Sequence, residues 1–174
     1  MRALGPGSVS SFLKIILDVV YVILWVALGA VGLFALAALL FSFNPDLFPA
    51  MMSNDAAVVA NRGPLFAGAL AVFGLQIGGV LVIVDALRRI FVTLTAGDPF
   101  HPRNVRRLRL IGVMLGAIEL GRYVVWGVGP LVPFVRRVEP NFSLTAWFSV
   151  LVVFVLAEVF REGARLRREA ELTI

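Results

Sequence analysis

Glu119 and Arg122 stand three residues apart in an apolar stretch, a spacing that puts a carboxylate and a guanidinium on one face of a helix. Glu119 lies ten residues beyond Arg109. At helical rise that is roughly 15 Å, close to the middle of a hydrocarbon core about 30 Å thick. A charge at that depth is costly and turns toward other helices or water. Gln76, on the preceding apolar segment, falls at a similar depth and can hydrogen-bond to Glu119. Two chemistries fit this intramembrane polar cluster of Gln76, Glu119 and Arg122. One is a proton-linked or ligand-binding site; the other is an interhelical clamp whose polar groups satisfy one another. A relay needs further titratable groups at that depth, and none is evident, which favours the clamp.

A second set of charges lies in the stretch TAGDPFHPRNVRRLRLIG, Thr95 to Gly112. If a helix starts near Pro102, then Arg103, Arg106 and Arg107 fall within about 100° of one another, Arg109 turns away, and Leu108 and Ile111 mark the inward side. Toward the C-terminus Arg161, Arg165 and Arg168 recur at i, i+4, i+7, with Glu162 and Glu169 interspersed. Together with Asp98, His101 and Asn104 these arginines make a candidate surface for a partner or for lipid headgroups. Basic faces beside a membrane attract anionic lipid, about 1 kcal/mol for each residue near the surface. A dedicated protein partner is the sharper alternative. Direct nucleic-acid binding is not expected, because no DNA-reading motif accompanies the charge. His101 is a candidate pH-sensitive group, although a solvated loop histidine is the plainer reading.

Enzyme chemistry finds little to use. The chain has no cysteine and a single histidine, so thiolate sites, iron-sulfur ligation and multi-histidine metal cages are not expected. There is no HExxH, GxSxG or P-loop pattern, and no nucleophile paired with a base. The expectation is a non-enzymatic protein with no metal and no cofactor.

The elements that carry these residues follow from composition. With 60% hydrophobic residues, 16% charged residues and a mean hydropathy of +0.94, the 174-residue chain reads as an integral membrane protein. Its apolar segments predict an all-α fold, one antiparallel bundle of four transmembrane helices spanning residues 1–174. The helices are expected at about 12–41, 64–90, 105–128 and 143–168, with a basic loop at 91–109. The first run is too long for a removable leader's apolar core of about 7 to 15 residues, so it reads as a membrane helix. Residues 1–11 predict a frayed start. Ser42 to Gly63, rich in Asn, Asp and Pro, predicts the longest loop, and Gly129 to Asn141, with three prolines, a second link. Gly68, Gly74, Gly78 and Gly79 on the second helix, and Gly112, Gly116, Ala117 and Gly121 on the third, predict a closely packed hairpin. Packing within the chain is favoured over a dimer face, with a homo-oligomer left open. Lys14 and Asp18 can pair, Asp85 can pair with Arg88 or Arg89, and Glu158 with Arg161 or an arginine of the central stretch.

Twelve of the 16 lysines and arginines fall on one side of this topology. Because positive residues are retained in the cytoplasm, both termini and the central basic stretch are expected there.

The stretch GDPFHPRNVRRLRLIG, Gly97 to Gly112, and the stretch LAEVFREGARLRREAELTI, Leu156 to Ile174, resemble the paired signatures of bacterial membrane proteins in domain-of-unknown-function family 2975. The resemblance covers nearly the whole chain in layout and implies a multi-pass protein of the bacterial inner membrane. In that family the residue before the motif's second proline is usually Ser or Thr, and an acid follows it. Here His101, Pro102 and Arg103 stand in those places. A weaker helix start, or one capped by Asp98, is therefore expected. The family has no established activity. Its members are often encoded beside a small helix-turn-helix regulator, which implies a membrane sensor or anchor for a cytoplasmic DNA-binding protein. The alternative is a small transporter or channel subunit that uses Gln76, Glu119 and Arg122.

Overall fold

The computed structural model describes residues 9–43, 63–128 and 142–172. Four helices account for nearly all of them: α1 (Val9–Phe43), α2 (Gly63–Thr95), α3 (Pro102–Val128) and α4 (Leu144–Glu171). There is no strand among the described residues. The expectations for the frayed N-terminus, the long polar loop and the proline-rich link fall almost wholly on residues 1–8, 44–62 and 129–141, outside the described residues.

Spans within Phe12–Leu40, Pro64–Thr95 and Leu144–Ala170 are long and apolar enough to cross a membrane. Their apolar side chains face outward: Val26, Leu33 and Phe34 of α1 and Leu75 of α2 are all more than two thirds exposed. Water would make that surface prohibitively unfavourable, whereas lipid covers it at no cost. The third helix is not among the three spans. Its first turns carry Arg103, Arg106, Arg107 and Arg109, and its middle carries Glu119 and Arg122.

The helices are longer than the apolar runs alone implied, and the expected basic loop at 91–109 contracts to Ala96–His101. Hydrogen bonding explains the extension. The Thr93 hydroxyl donates to the Ile90 carbonyl, and the Thr95 hydroxyl lies within bonding distance of the Phe91 and Val92 carbonyls, so both threonines back-bond to the helix while α2 continues through them. At the end of α2 the Gly97 N–H donates to the Leu94 carbonyl and the Asp98 N–H to the Thr93 carbonyl, with Gly97 at φ +82°. This paired closure needs a left-handed residue where glycine alone carries no Cβ penalty. Pro102 then opens α3 at a position where its missing N–H is harmless. Ser143 caps α4 by accepting the Ala146 N–H at 3.2 Å.

Contacts group the chain into two compact units, one of Met1–Leu24, Gly79–Glu119 and Phe142–Ile174, the other of Trp25–Gly78 and Leu120–Asn141. In the first unit consecutive helices run antiparallel. Ala86, Ile90 and Ile111 form the buried centre, with Leu87, Leu94, Leu108, Leu115 and Val153 packed around it. Arg88 ties α2 to α1: its Nε donates to Asp18 at 2.5 Å and its guanidinium lies 4.2 Å from the Tyr21 ring centroid. Asp18 thus reaches across to α2 and not along its own helix to Lys14, because a partly buried pair stacked on an aromatic face is better shielded from water than an exposed pair within one helix.

The glycines divide between neighbours. A Cβ on Gly79 would lie 3.0 Å from Ile118 Cγ1, which is the close α2–α3 approach expected of a hairpin. Gly112, expected to serve the same hairpin, instead faces α4, where a Cβ would meet the Phe154 ring at 3.0 Å. In the second unit Gly74 receives Val31 and Leu28 of α1, and Gly121 lies beside the Gln76 amide.

Candidate functional site

The charged end of the first unit is built on the six-residue turn between α2 and α3. Asn104, in the first turn of α3, has no exposed surface. Its Nδ2 donates to Thr93 Oγ1 at 2.7 Å and to the Pro99 carbonyl at 3.1 Å, and its Oδ1 accepts from Arg107 Nη1 at 3.0 Å. One side chain thereby joins the end of α2, the turn and the second turn of α3. Assigning Asn104 to an outward partner surface is corrected by this burial. It occupies the stripe Asn104, Leu108, Ile111, Leu115, spaced i, i+4, i+7, i+11, which is the inner face of α3.

Arg107 is also turned inward in part. Besides Asn104 it donates to the Arg89 carbonyl at 2.8 Å, which links the second turn of α3 to α2. This residue precedes the apolar part of α3. Burial lowers its pKa from the ordinary guanidinium value, the nearby charges of Arg89 and Arg103 lower it further, and Asp85 opposes them. Arg107 remains a cation at any physiological pH. The shift therefore reports crowding of like charge.

His101 caps α3 despite its type. Its Nδ1 accepts the Arg103 N–H at 3.1 Å and its carbonyl accepts the Asn104 N–H at 2.8 Å. An unprotonated imidazole nitrogen is a lone-pair acceptor like a serine oxygen, so the expected substitution by Asp98 is not needed. Asp98 turns to α4 and accepts from Arg167 Nη1 at 2.6 Å.

That bond is one of two contacts that hold the turn to the C-terminal half of α4. Phe100 stacks at a tilt on Phe160, with centroids 5.6 Å apart, and its ring lies flush over Gly163. Deeper, Arg109 reaches Glu158 at 3.5 Å, and Glu158 also pairs with Arg161. The meeting of the two basic stretches therefore rests on Asp98, Phe100, Gly163 and Arg167, three of which lay outside the expected site. A signal for Arg167 exists. Ala157, Phe160, Ala164 and Arg167 follow i, i+3, i+7, i+10, the inner stripe of α4, whereas Arg161, Arg165 and Arg168 follow the outer one.

The outer arginines differ in their neutralisation. Arg165 pairs with Glu162 at 2.6 Å and Glu169 at 3.6 Å, and Arg168 donates to the Ala164 carbonyl. Arg103 and Arg106 are exposed, and no carboxylate among the described residues pairs with them.

Glu119 is 7% exposed. The Arg122 guanidinium lies 5.7 Å from the Tyr123 ring centroid, and neither Glu119 nor Arg122 lacks a partner.

A family model described as protein of unknown function (DUF2975) matches residues 50–174, which include the central basic stretch and all of α4. Neither a curated protein nor a solved structure matches the chain.

Proposed function

We propose that this chain, which belongs to domain-of-unknown-function family 2975, is a non-enzymatic adaptor or sensor of the bacterial inner membrane whose charged end engages a soluble cytoplasmic partner. The partner is a DNA-binding regulator presenting an acidic face. The observation that carries this reading is the union of the α2–α3 turn with the α4 extension through Asp98, Phe100, Gly163 and Arg167. It brings the exposed Arg103, Arg106, Arg161, Arg165 and Arg168 to one end of the unit. An end built around a fully buried, fully bonded asparagine is a rigid platform, and rigid platforms lose little ordering entropy on binding.

The same contacts support four membrane crossings. Position 112 of α3 lies beside 154 of α4, 109 beside 158, and the turn before α3 beside 163 and 167. A helix that runs antiparallel along an apolar span for that distance traverses the same layer. With four crossings both termini lie on the side of the Ala96–His101 turn, the cytoplasm by the positive-inside rule.

Arg106→Glu combined with Arg161→Glu lowers recovery of the co-purifying regulator by about tenfold, read by pull-down of the intact protein from detergent-solubilised membranes. Neither side chain holds the turn, so the helices persist. Unchanged recovery would remove this surface from the reading.

A further inference from the structure

The charged end is neutralised unevenly. On α4 each of Arg161, Arg165 and Arg167 has a carboxylate partner: Glu158, then Glu162 with Glu169, then Asp98. On the α2–α3 side the charges of Arg89 and Arg103 crowd Arg107, Asp85 is the acid that opposes them, and Asp85 is itself held by Arg89 at 2.8 Å. Arg107 is fixed between the Arg89 carbonyl and the Asn104 side chain, so its remaining donors point from a set position. This corner has an excess of cation, partial burial and restricted geometry, which together favour a compact polyoxygen anion.

The neighbours of the corner narrow the ligand. Leu110, three residues past Arg107 on α3, is 41% exposed, and Val82, seven residues before Arg89 on α2, is 36% exposed. Both lie on the side of the corner toward the apolar spans. An inorganic anion, or the acidic face of a soluble protein, leaves such aliphatic groups uncovered. A phosphate carrying acyl chains covers them.

We propose that Arg89, Arg103 and Arg107 bind the headgroup phosphate of an anionic phospholipid, whose acyl chains run past Leu110 and Val82. The inference rests on the reading that the charged end lies at a membrane surface, and it assigns Arg89, Arg103 and Arg107 to lipid while leaving Arg106 and the outer face of α4 to the partner. Lipid occupancy then supplies the missing counter-charge and steadies the α2–α3 corner.

The test uses the intact protein in a nonionic detergent, titrated with dioleoyl phosphatidylglycerol, with dioleoyl phosphatidylcholine and with inorganic phosphate, and read by native mass spectrometry and thermal midpoint. Phosphatidylglycerol is retained and raises the midpoint; phosphatidylcholine and inorganic phosphate do neither. Arg103→Gln weakens retention about fivefold, and adding Arg89→Gln brings the loss to about thirtyfold, while Arg165→Gln leaves it unchanged. Arg89 and Arg103 are exposed side chains, and circular dichroism of both variants checks that the helices remain. Equal retention of the two lipids, an equal effect of inorganic phosphate, or no loss in the Arg103→Gln and Arg89→Gln variants would each overturn the proposal. The titration contains no partner protein, so its failure is separate from failure of the regulator pull-down.

Discussion

Asn104→Ala lowers the stability of the folded protein by about 3 kcal/mol, the largest effect expected of any single substitution at the charged end. The side chain is fully buried and makes three hydrogen bonds, to Thr93, Pro99 and Arg107. Truncation leaves the Pro99 carbonyl without that donor and deprives the partly buried Arg107 of one acceptor. A buried polar group stripped of its partner costs roughly 1 to 3 kcal/mol, and the cavity adds to this. Thr93→Val alone costs less, about 1 kcal/mol, because it removes one acceptor and a back-bond to Ile90. The two changes are coupled: once Asn104 is gone, the Thr93 hydroxyl has less to do, and the double variant falls short of the sum by about 0.5 kcal/mol or more. Denaturant titration of the detergent-solubilised variants measures both quantities. A loss below about 1 kcal/mol for Asn104→Ala would mean that the turn is held by other means.

The second large effect changes sign with its background. At Gly163 a Cβ would lie 2.6 Å from two atoms of the Phe100 ring, closer than real Cβ atoms approach anything. Gly163→Ala therefore displaces Phe100 from α4, an overpacking cost of about 1 to 3 kcal/mol. Alanine is also the better helix former by about 1 kcal/mol, which opposes this. With Phe100 present the cost dominates and the midpoint falls. In a Phe100→Ala background the obstruction is absent, only the helix term remains, and the same Gly163→Ala change raises the midpoint. Thermal unfolding of the four proteins in one detergent decides the matter. A fall of equal size in both backgrounds would show that Phe100 does not rest on Gly163.

Much of the architecture is legible from apolar periodicity, because a helix in lipid needs a long run of apolar residues and leaves few other signals. The positions of α1, α2 and α4 follow from that rule to within a few residues. The boundaries at the turn do not, because Thr93 and Thr95 count as polar while their hydroxyls bond back to their own helix. The outward placement of Arg103, Arg106, Arg161, Arg165 and Arg168 was legible from helical spacing, and all five are exposed. It failed at Asn104, where residue type suggested a loop and helical spacing placed the side chain on the inner stripe with Leu108 and Ile111. Asp18 shows a further limit. An i, i+4 pair with Lys14 can be read along one segment, whereas its bond to Arg88, seventy positions away, depends on the register of α1 against α2. Arg167 and Gly163 were missed for a related reason: their partners Asp98 and Phe100 lie on a turn whose path is set by Gly97 and Asn104 together.

The claim beneath the whole reading is that α3 crosses the membrane, so that the turn and the end of α4 share the cytoplasmic side. The chain has no cysteine, so single cysteines can be placed freely. Arg103→Cys, Arg168→Cys and Asn54→Cys are each labelled with a membrane-impermeant maleimide in intact spheroplasts and in inverted vesicles. The predicted result is labelling of positions 103 and 168 in inverted vesicles alone and of position 54 in spheroplasts alone. Labelling of positions 103 and 168 from opposite sides would contradict four crossings and separate the two halves of the proposed surface.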